Sequence, residues 1–265
     1  MNEARVPGQQ SVRRAIDVLF CFDAGTPDLS AAEVAGRLGM NRTTAYRYLQ
    51  TLVGTGLARD LGDGRFGLGA RTVSLAEAYT SQWGELEAVA GAALVRLRDA
   101  VGETAALHVR QGASRVVVRQ VESHHELHRT YRDLGQPISL ISGAPSLAIL
   151  AALPDDERAA YLDAHADDRQ RGAAARALAD AVDRGFASTH GSRVPGVASV
   201  AAAVRSPAGP VVAAVNVTGP ESRLPPSRTA EVARHVTAAA TWIEQRLAGH
   251  EHPRPRPTRQ PRREP

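Results

Sequence analysis

The chain has 265 residues, 43% hydrophobic and only 4% aromatic, which is material for one large or two modest domains with cores built mainly of Ala, Val, Leu and Ile. No stretch approaches the roughly eighteen apolar residues of a membrane span, and "MNEARVPGQQ" has no apolar signal region, so the expectation is a soluble cytoplasmic protein with no membrane partner. The net charge of +4 and the pI near 9.8 come largely from residues 251–265, with five Arg and two Glu, so total charge alone argues weakly for nucleic acid.

In chain order, "SVRRAIDVLFCFDA", residues 11–24, carries Val12, Ala15, Ile16, Leu19 and Phe20 at the spacing of an amphipathic helix. Cys21, the single cysteine, excludes an internal disulfide and a cysteine-based zinc site and reads as a core thiol. After the "GTPD" break, Ser30 and Glu33 form a capping box that opens a second helix, to about Leu38. Gly39 suits a left-handed turn, and Asn41 caps a third helix, to about Val53. "LARDLGDGRFGLG" reads as a hairpin turning at "GDG".

Residues 70–100 read as helix, broken near Trp83–Gly84. A hairpin follows from residue 104, turning at Gln111–Ser114, with a third strand expected around Leu127–Asp133. Residues 145–185 are helical in character with a break at Pro154. A second hairpin turns at Pro207–Gly209, and a final helix covers residues 226–248. The Pro- and Arg-rich end lacks the apolar content to fold and is expected to be disordered. No internal repeat is seen. The change of texture near residue 80 separates a helical unit from an α+β unit.

The third helix has two unlike sides. Ala45, Leu49 and Leu52 form a buried edge, whereas Arg42, Thr43, Tyr46, Arg47 and Gln50 lie opposite, with no acid among them. Between Arg37 and Arg71 there are six Arg against Asp60 and Asp63, a local excess of +4. A helix–turn–helix presents the start of its second helix to the major groove. The candidates to read bases or hold phosphates are therefore Ser30, Asn41, Arg42, Thr43, Thr44 and Tyr46, with Arg47 and Arg59 toward the backbone and Arg65 at the hairpin wing.

In "SVRRAIDVL", "LSAAEVAGRLGMNRTTAYRYLQTLVGTGL" and "GRFGLG", and further on in "AAVGETAALHVR", "SLAILAALPDDE", "DRGFA", "PGVASVAAAV" and "AAVNVTGPESRL", the chain resembles the IclR-type bacterial transcriptional regulators over residues 9–248. The resemblance implies an α+β protein. It divides into a winged helix–turn–helix DNA-binding domain at 9–70, a linker helix at 71–83, a GAF-like effector-binding and oligomerisation domain with an antiparallel sheet at 84–248, and a tail at 249–265. It implies operator DNA, a small-molecule effector and a second copy of the chain, as dimer or tetramer, as partners.

It also implies an effector pocket. One wall is "SLISGAPSLAILA", with Gly143, Ala144, Pro145 and Ser146 as backbone contacts, although Ser139, Ser146 and Leu147 depart from the Pro, Gly and basic residue usual there. The other wall holds Ser199, Asn216 and Thr218, and His108 lies on the domain's first strand. Where the family often carries acids before "PGV", this chain has His190 and Arg193, which favours an acidic ligand.

His124, His125 and His128 fall in a turn rather than at helical spacing, so no metal is expected. No nucleophile elbow occurs, and the chain has no Lys for a phosphate-loop motif, so neither an enzyme nor a cofactor is expected. The alternative function is a DNA-binding protein whose second domain only oligomerises.

Overall fold

The computed structural model describes residues 9–23, 25–131 and 134–249. Asp133, in the expected third strand, and residues 250–265 of the expected disordered tail lie outside them. The chain divides into two compact units, Met1–Trp83 and Gly84–Pro265.

In the first unit, α1 (Gln9–Leu19) ends earlier than the 11–24 periodicity predicts. Cys21 and Phe22 bond back to the carbonyls of Val18 and Leu19, a tighter turn that swings both side chains into the core and leaves Phe20 outside. Burial raises the pKa of the Cys21 thiol, as expected of a core cysteine. α2 (Ala31–Leu38) starts on the expected capping box: Ser30 Oγ accepts from the Glu33 amide, and the Glu33 carboxylate accepts from the Ser30 amide. Gly39 closes the helix at φ +59°, where its hydrogen costs nothing and a Cβ would. α3 (Arg42–Gly54) is capped by Asn41, whose Oδ1 accepts from Thr44 N at 2.7 Å.

β2 (Ala58–Gly62) and β3 (Arg65–Leu68) form the expected hairpin. β1 (Asp28–Ser30), which local pattern did not reveal, pairs antiparallel with β3 and gives the order β1-β3-β2. Val18, Leu29, Val34, Ala45, Leu49, Leu52 and Phe66 make the core. Ser30→Ala removes one half of the capping box. The denaturant midpoint of this unit should fall by the equivalent of about 1 kcal/mol, with an unchanged slope. α4 (Arg71–Thr80) and a 3-10 turn, Ser81–Trp83, complete the unit.

The second unit is a six-stranded antiparallel sheet ordered β6-β5-β4-β9-β8-β7. α5 (Gly84–Val101) leads into β4 (Thr104–Gln111) and β5 (Ser114–Val121), the expected first hairpin. The third strand is β6 (Pro137–Ser139); of the expected 127–133, the described residues 127–131 form no ladder. α6 (Ala144–Ala151), α7 (Asp155–His165) and α8 (Asp168–Arg184) follow, broken at Pro154 as expected. β7 (Ala187–His190), four residues long and not anticipated, adds an edge to the second hairpin, β8 (Val197–Arg205) and β9 (Val211–Pro220). α9 (Thr229–Gly249) ends the described chain.

Strand alternation sorts the sheet's two faces. Ala187, Ala201 and Ala214 pack under α6 and α8 with Leu147, Ile149, Leu150 and Leu178. The alternate residues, among them Leu107, Val109, Val200 and Val217, are buried on the opposite side, and α5 and α9 pack on each other and on β4, β8 and β9. With helices on both faces, β9 is buried almost throughout, and its two polar side chains, Asn216 and Thr218, share the face of Ala214.

Candidate functional site

Two surfaces collect the residues singled out above. The first is α3. Its inward residues Ala45, Leu49 and Leu52 are buried, and Asn41, Arg42, Thr43, Tyr46 and Arg47 are exposed. Tyr46 is held in place by an edge-on contact with Phe66 and by Gln50, whose Nε2 donates to its hydroxyl at 3.1 Å. Asn41 and Ser30 are engaged by their own helix caps and Thr44 is half-buried, so the arginines and Thr43 are the freest donors.

The six arginines of this region divide evenly. Arg37 donates to Cys21 O and Thr26 Oγ1, and Arg71 donates to Thr55 O. Arg65, expected at the wing as a groove probe, turns back onto the Asp28 carboxylate with Glu33 at 3.6 Å. The reason is β1, which lays Ser30 opposite Arg65 and so brings Asp28 within reach. Among the described residues Arg42, Arg47 and Arg59 have no acid partner, and all three are exposed. Three exposed cations without acid partners on one helix–turn–helix unit suit a phosphate backbone.

The second surface is a cleft in the sheet domain, beside the start of α6. It has a cavity of about 40 Å³, lined by Arg115, Arg129, Tyr131, the Gly143–Pro145 turn, Thr189, Arg193, Ser199 and Thr218, among others. Strand register explains the polar lining. Thr189 pairs with Ser199, Ser199 with Thr218, and Thr218 with Thr104, so four hydroxyls run in a row across β7, β8, β9 and β4.

Behind the lining lies a chain of buried hydrogen bonds. Arg115 is 1% exposed. Its Nε donates to Ser146 Oγ at 2.6 Å, and its Nη1 donates to His108 Nδ1 at 2.6 Å. A guanidinium only donates, so His108 must accept at Nδ1 and carry its hydrogen on Nε2, which faces Asn216 Oδ1 at 2.8 Å. Asn216 Nδ2 then donates to Tyr131 Oη and Ser199 Oγ, both at 2.9 Å, and Ser199 passes its hydrogen to Val217 O. Burial and the adjacent Arg115 hold His108 well below the usual imidazole range, so the ring is neutral, as that chain of donors requires. Burial lowers Arg115 to about 10, which still leaves it a cation at neutral pH.

Among the described residues no carboxylate lines this cleft. The N-terminus of α6 opens on it without a side-chain cap, behind Gly143 at φ +85°. Glycine allows the positive φ of this turn, and Arg115 Nη2 stands in ordinary van der Waals range, 3.6 Å, of where a Cβ would lie.

The expected residues fall into two groups with respect to this cleft. Gly143, Ala144, Pro145, Ser199 and Thr218 line the cleft. His108, Ser146 and Asn216 do not; they are wholly buried behind it and position Arg115 and Tyr131. His190 is exposed at the end of β7, because the neighbouring Thr189 is the residue in register with Ser199 and alternation sends His190 the other way. Arg115, Arg129 and Tyr131 were missed. Arg115 left one trace, a charge inside the valine run "SRVVVRQV" where a core strand has no ordinary use for it. At His124–Leu127 the chain bends without forming a helix, and His128 faces Glu122 and the His125 carbonyl.

A family profile described as "IclR helix-turn-helix domain" matches residues 11–62, and one described as "Bacterial transcriptional regulator IclR C-terminal" matches residues 79–245. The HTH-type transcriptional regulator BhcR of Paracoccus denitrificans is 29% identical over 241 residues, covering 88% of this chain and 85% of that one. The crystal structure of a transcriptional regulator from Rhodococcus sp. RHA1 superposes with a TM-score of 0.73 at 29% identity, over 91% of this chain and 98% of that one. An IclR homolog from Microbacterium hydrocarbonoxydans, complexed with 4-hydroxybenzoate, shares the fold with a TM-score of 0.70 at 22% identity, over 90% and 99% of the two chains. Among the described residues no helix is long and apolar enough to cross a membrane.

Proposed function

The chain belongs to the IclR family of bacterial transcriptional regulators, DNA-binding proteins rather than enzymes, and we propose that it is a regulator switched by a small acidic metabolite. In this reading residues 9–70 bind operator DNA, 71–83 link, and 84–248 bind the effector and join copies of the chain into a dimer or tetramer. Arg42, Thr43 and Arg47 enter or flank the major groove, and Arg59 meets the phosphate backbone.

The observation that carries the acidic effector is Arg115, a buried cation with no carboxylate facing it across the cleft. An unpaired buried charge is costly, and an anion entering the cleft relieves that cost. The α6 N-terminus adds free N–H donors on the same side. The benzoate held by the Microbacterium homolog is also an acid, on a chain of the same fold.

The test is a band-shift with DNA from beside its own gene, with and without a set of small acids. Salt-sensitive binding that one acid alters supports the reading. Binding indifferent to all of them favours the alternative, in which the C-terminal unit only oligomerises. Arg47→Ala should weaken operator binding about tenfold and reduce its salt dependence by about one charge, with stability changed by less than about 0.5 kcal/mol. A large stability loss with intact DNA binding would contradict the assignment.

A further inference from the structure

The segment after β5 has a division of labour that an acid effector alone does not explain. Residues 128–131 belong to no helix or strand. His128 and Thr130 turn to one side and hold Glu122, through Nε2 at 3.0 Å and Oγ1 at 2.6 Å. Arg129 and Tyr131, at the alternate positions, turn to the other side and line the cleft. The Tyr131 backbone is fastened to Gln120 at both its N–H (2.8 Å) and its C=O (3.3 Å), and its ring stands edge-on to His108 at 5.2 Å. The nearby carboxylate is thus taken up by Arg129's neighbours, and among the described residues Arg129 itself has no acid partner although it is half-buried.

The cavity is too small to hold a whole metabolite with both ends inside. At about 40 Å³ it is far below the roughly 300–1,000 Å³ of pockets that enclose a whole small molecule, so it takes one end of a ligand. That group meets Arg115 Nη2 and the start of α6, and Tyr131 donates its hydroxyl hydrogen from the side. The rest of the ligand must lie in the mouth, where Arg129 stands. The wholly buried Arg115 and the half-buried Arg129 define two anchoring points rather than one, with the third cation of the lining, Arg193, more exposed than either.

Resting on the acid-effector reading, we propose that the effector is a two-headed acid, a short dicarboxylate with one carboxylate on Arg115 and the Gly143–Ala144 turn and the other on Arg129. Arg129 is then the residue that separates diacids from monoacids. It selects by charge at the mouth, while the buried relay fixes the orientation of the inner group.

The experiment titrates the full-length protein calorimetrically with malonate, succinate and glutarate, each paired with its half-amide, which keeps the shape and removes one charge. At least one diacid should bind about tenfold tighter than its half-amide, the loss expected for one charge-assisted hydrogen bond. Arg129→Gln should bring that diacid down to the affinity of its half-amide, and Arg129→Lys should keep a preference. Equal affinity within every pair overturns the two-headed assignment and leaves the acid reading standing. A diacid preference that survives Arg129→Gln overturns the role of Arg129. Heat from neither member of any pair removes the acid reading together with this one.

Discussion

Gly69→Ala is expected to cost the first unit about 3 kcal/mol or more and to abolish DNA binding, although Gly69 touches no candidate DNA contact. The end of β3 passes so close to the turn after α3 that a Cβ at residue 69 would overlap the Gly56 carbonyl oxygen, with Gly56 C at 2.7 Å and Ala58 O at 2.8 Å. These neighbours are backbone and cannot rotate away. They are also fixed, since Gly69 N donates to Leu57 O and Arg71 N to Gly56 O. Relief requires the hairpin to part from α3, whose buried edge packs against Phe66 and Ala58. Gly36 is the contrast. It sits exposed in the interior of α2 with nothing within 4 Å of an added Cβ, so Gly36→Ala should raise stability by about 0.5–1 kcal/mol. Hydrogen exchange over residues 9–70, together with a band-shift, separates the two. A Gly69→Ala protein with native protection in α3 would show that the turn yields more than its geometry suggests.

The same contrast accounts for what local sequence revealed. Ser30, Glu33, Gly39 and Asn41 act on neighbours three or four residues away, so the caps and the turn of the helix–turn–helix were readable before any tertiary structure. The wing was readable for the same reason, since its turn is a local Gly signal. Its arginine was not, because Arg65 is claimed by a strand 37 residues earlier that is only three residues long. In the second unit the hairpins β4–β5 and β8–β9 announced themselves through their turns. β6 and β7, with three and four residues, are too short to show a period and exist because a longer strand offers them an edge.

The cleft lies at the far end of this scale. Resemblance located its walls at Gly143–Pro145 and at Ser199 and Thr218, but the sequence separation of His108 and Asn216 is 108 residues, and nothing local says that one will accept from the other. Whether a polar residue lines the cleft or stands behind it depends on register. A shift of one residue exchanged His190 for Thr189. Arg115 escaped notice because a pattern of apolar and polar residues treats a buried arginine as a solvated one.

Arg115→Met should remove the response to acids and yet leave the ligand-free protein as stable as before, or more stable by up to about 2 kcal/mol. A cation whose pKa falls to about 10 on folding, well below its value in the unfolded chain, destabilises the native state by about 3 kcal/mol at neutral pH. Against that gain stand the two bonds lost. Ser146 Oγ keeps its bond to Ser139 O at 2.8 Å, so the buried orphan is His108 Nδ1, at about 1–3 kcal/mol. Methionine is unbranched and fills much of the volume the arginine stem leaves. The ledger therefore closes near zero or on the stabilising side, whereas truncating an ordinary large core residue costs about 2–5 kcal/mol. The pH dependence has a definite sign. Below about 10 both states of the wild type hold the Arg115 proton and its full handicap applies. Above about 10 the unfolded chain holds that proton more tightly than the folded one, so wild-type stability rises with pH relative to the variant and the gap closes. The absence of lysine removes one large class of groups from the alkaline background. Paired denaturant titrations at neutral and alkaline pH measure both effects. An Arg115→Met protein less stable than wild type by about 3 kcal/mol would make the guanidinium a prop of the fold rather than a charge kept waiting for an anion.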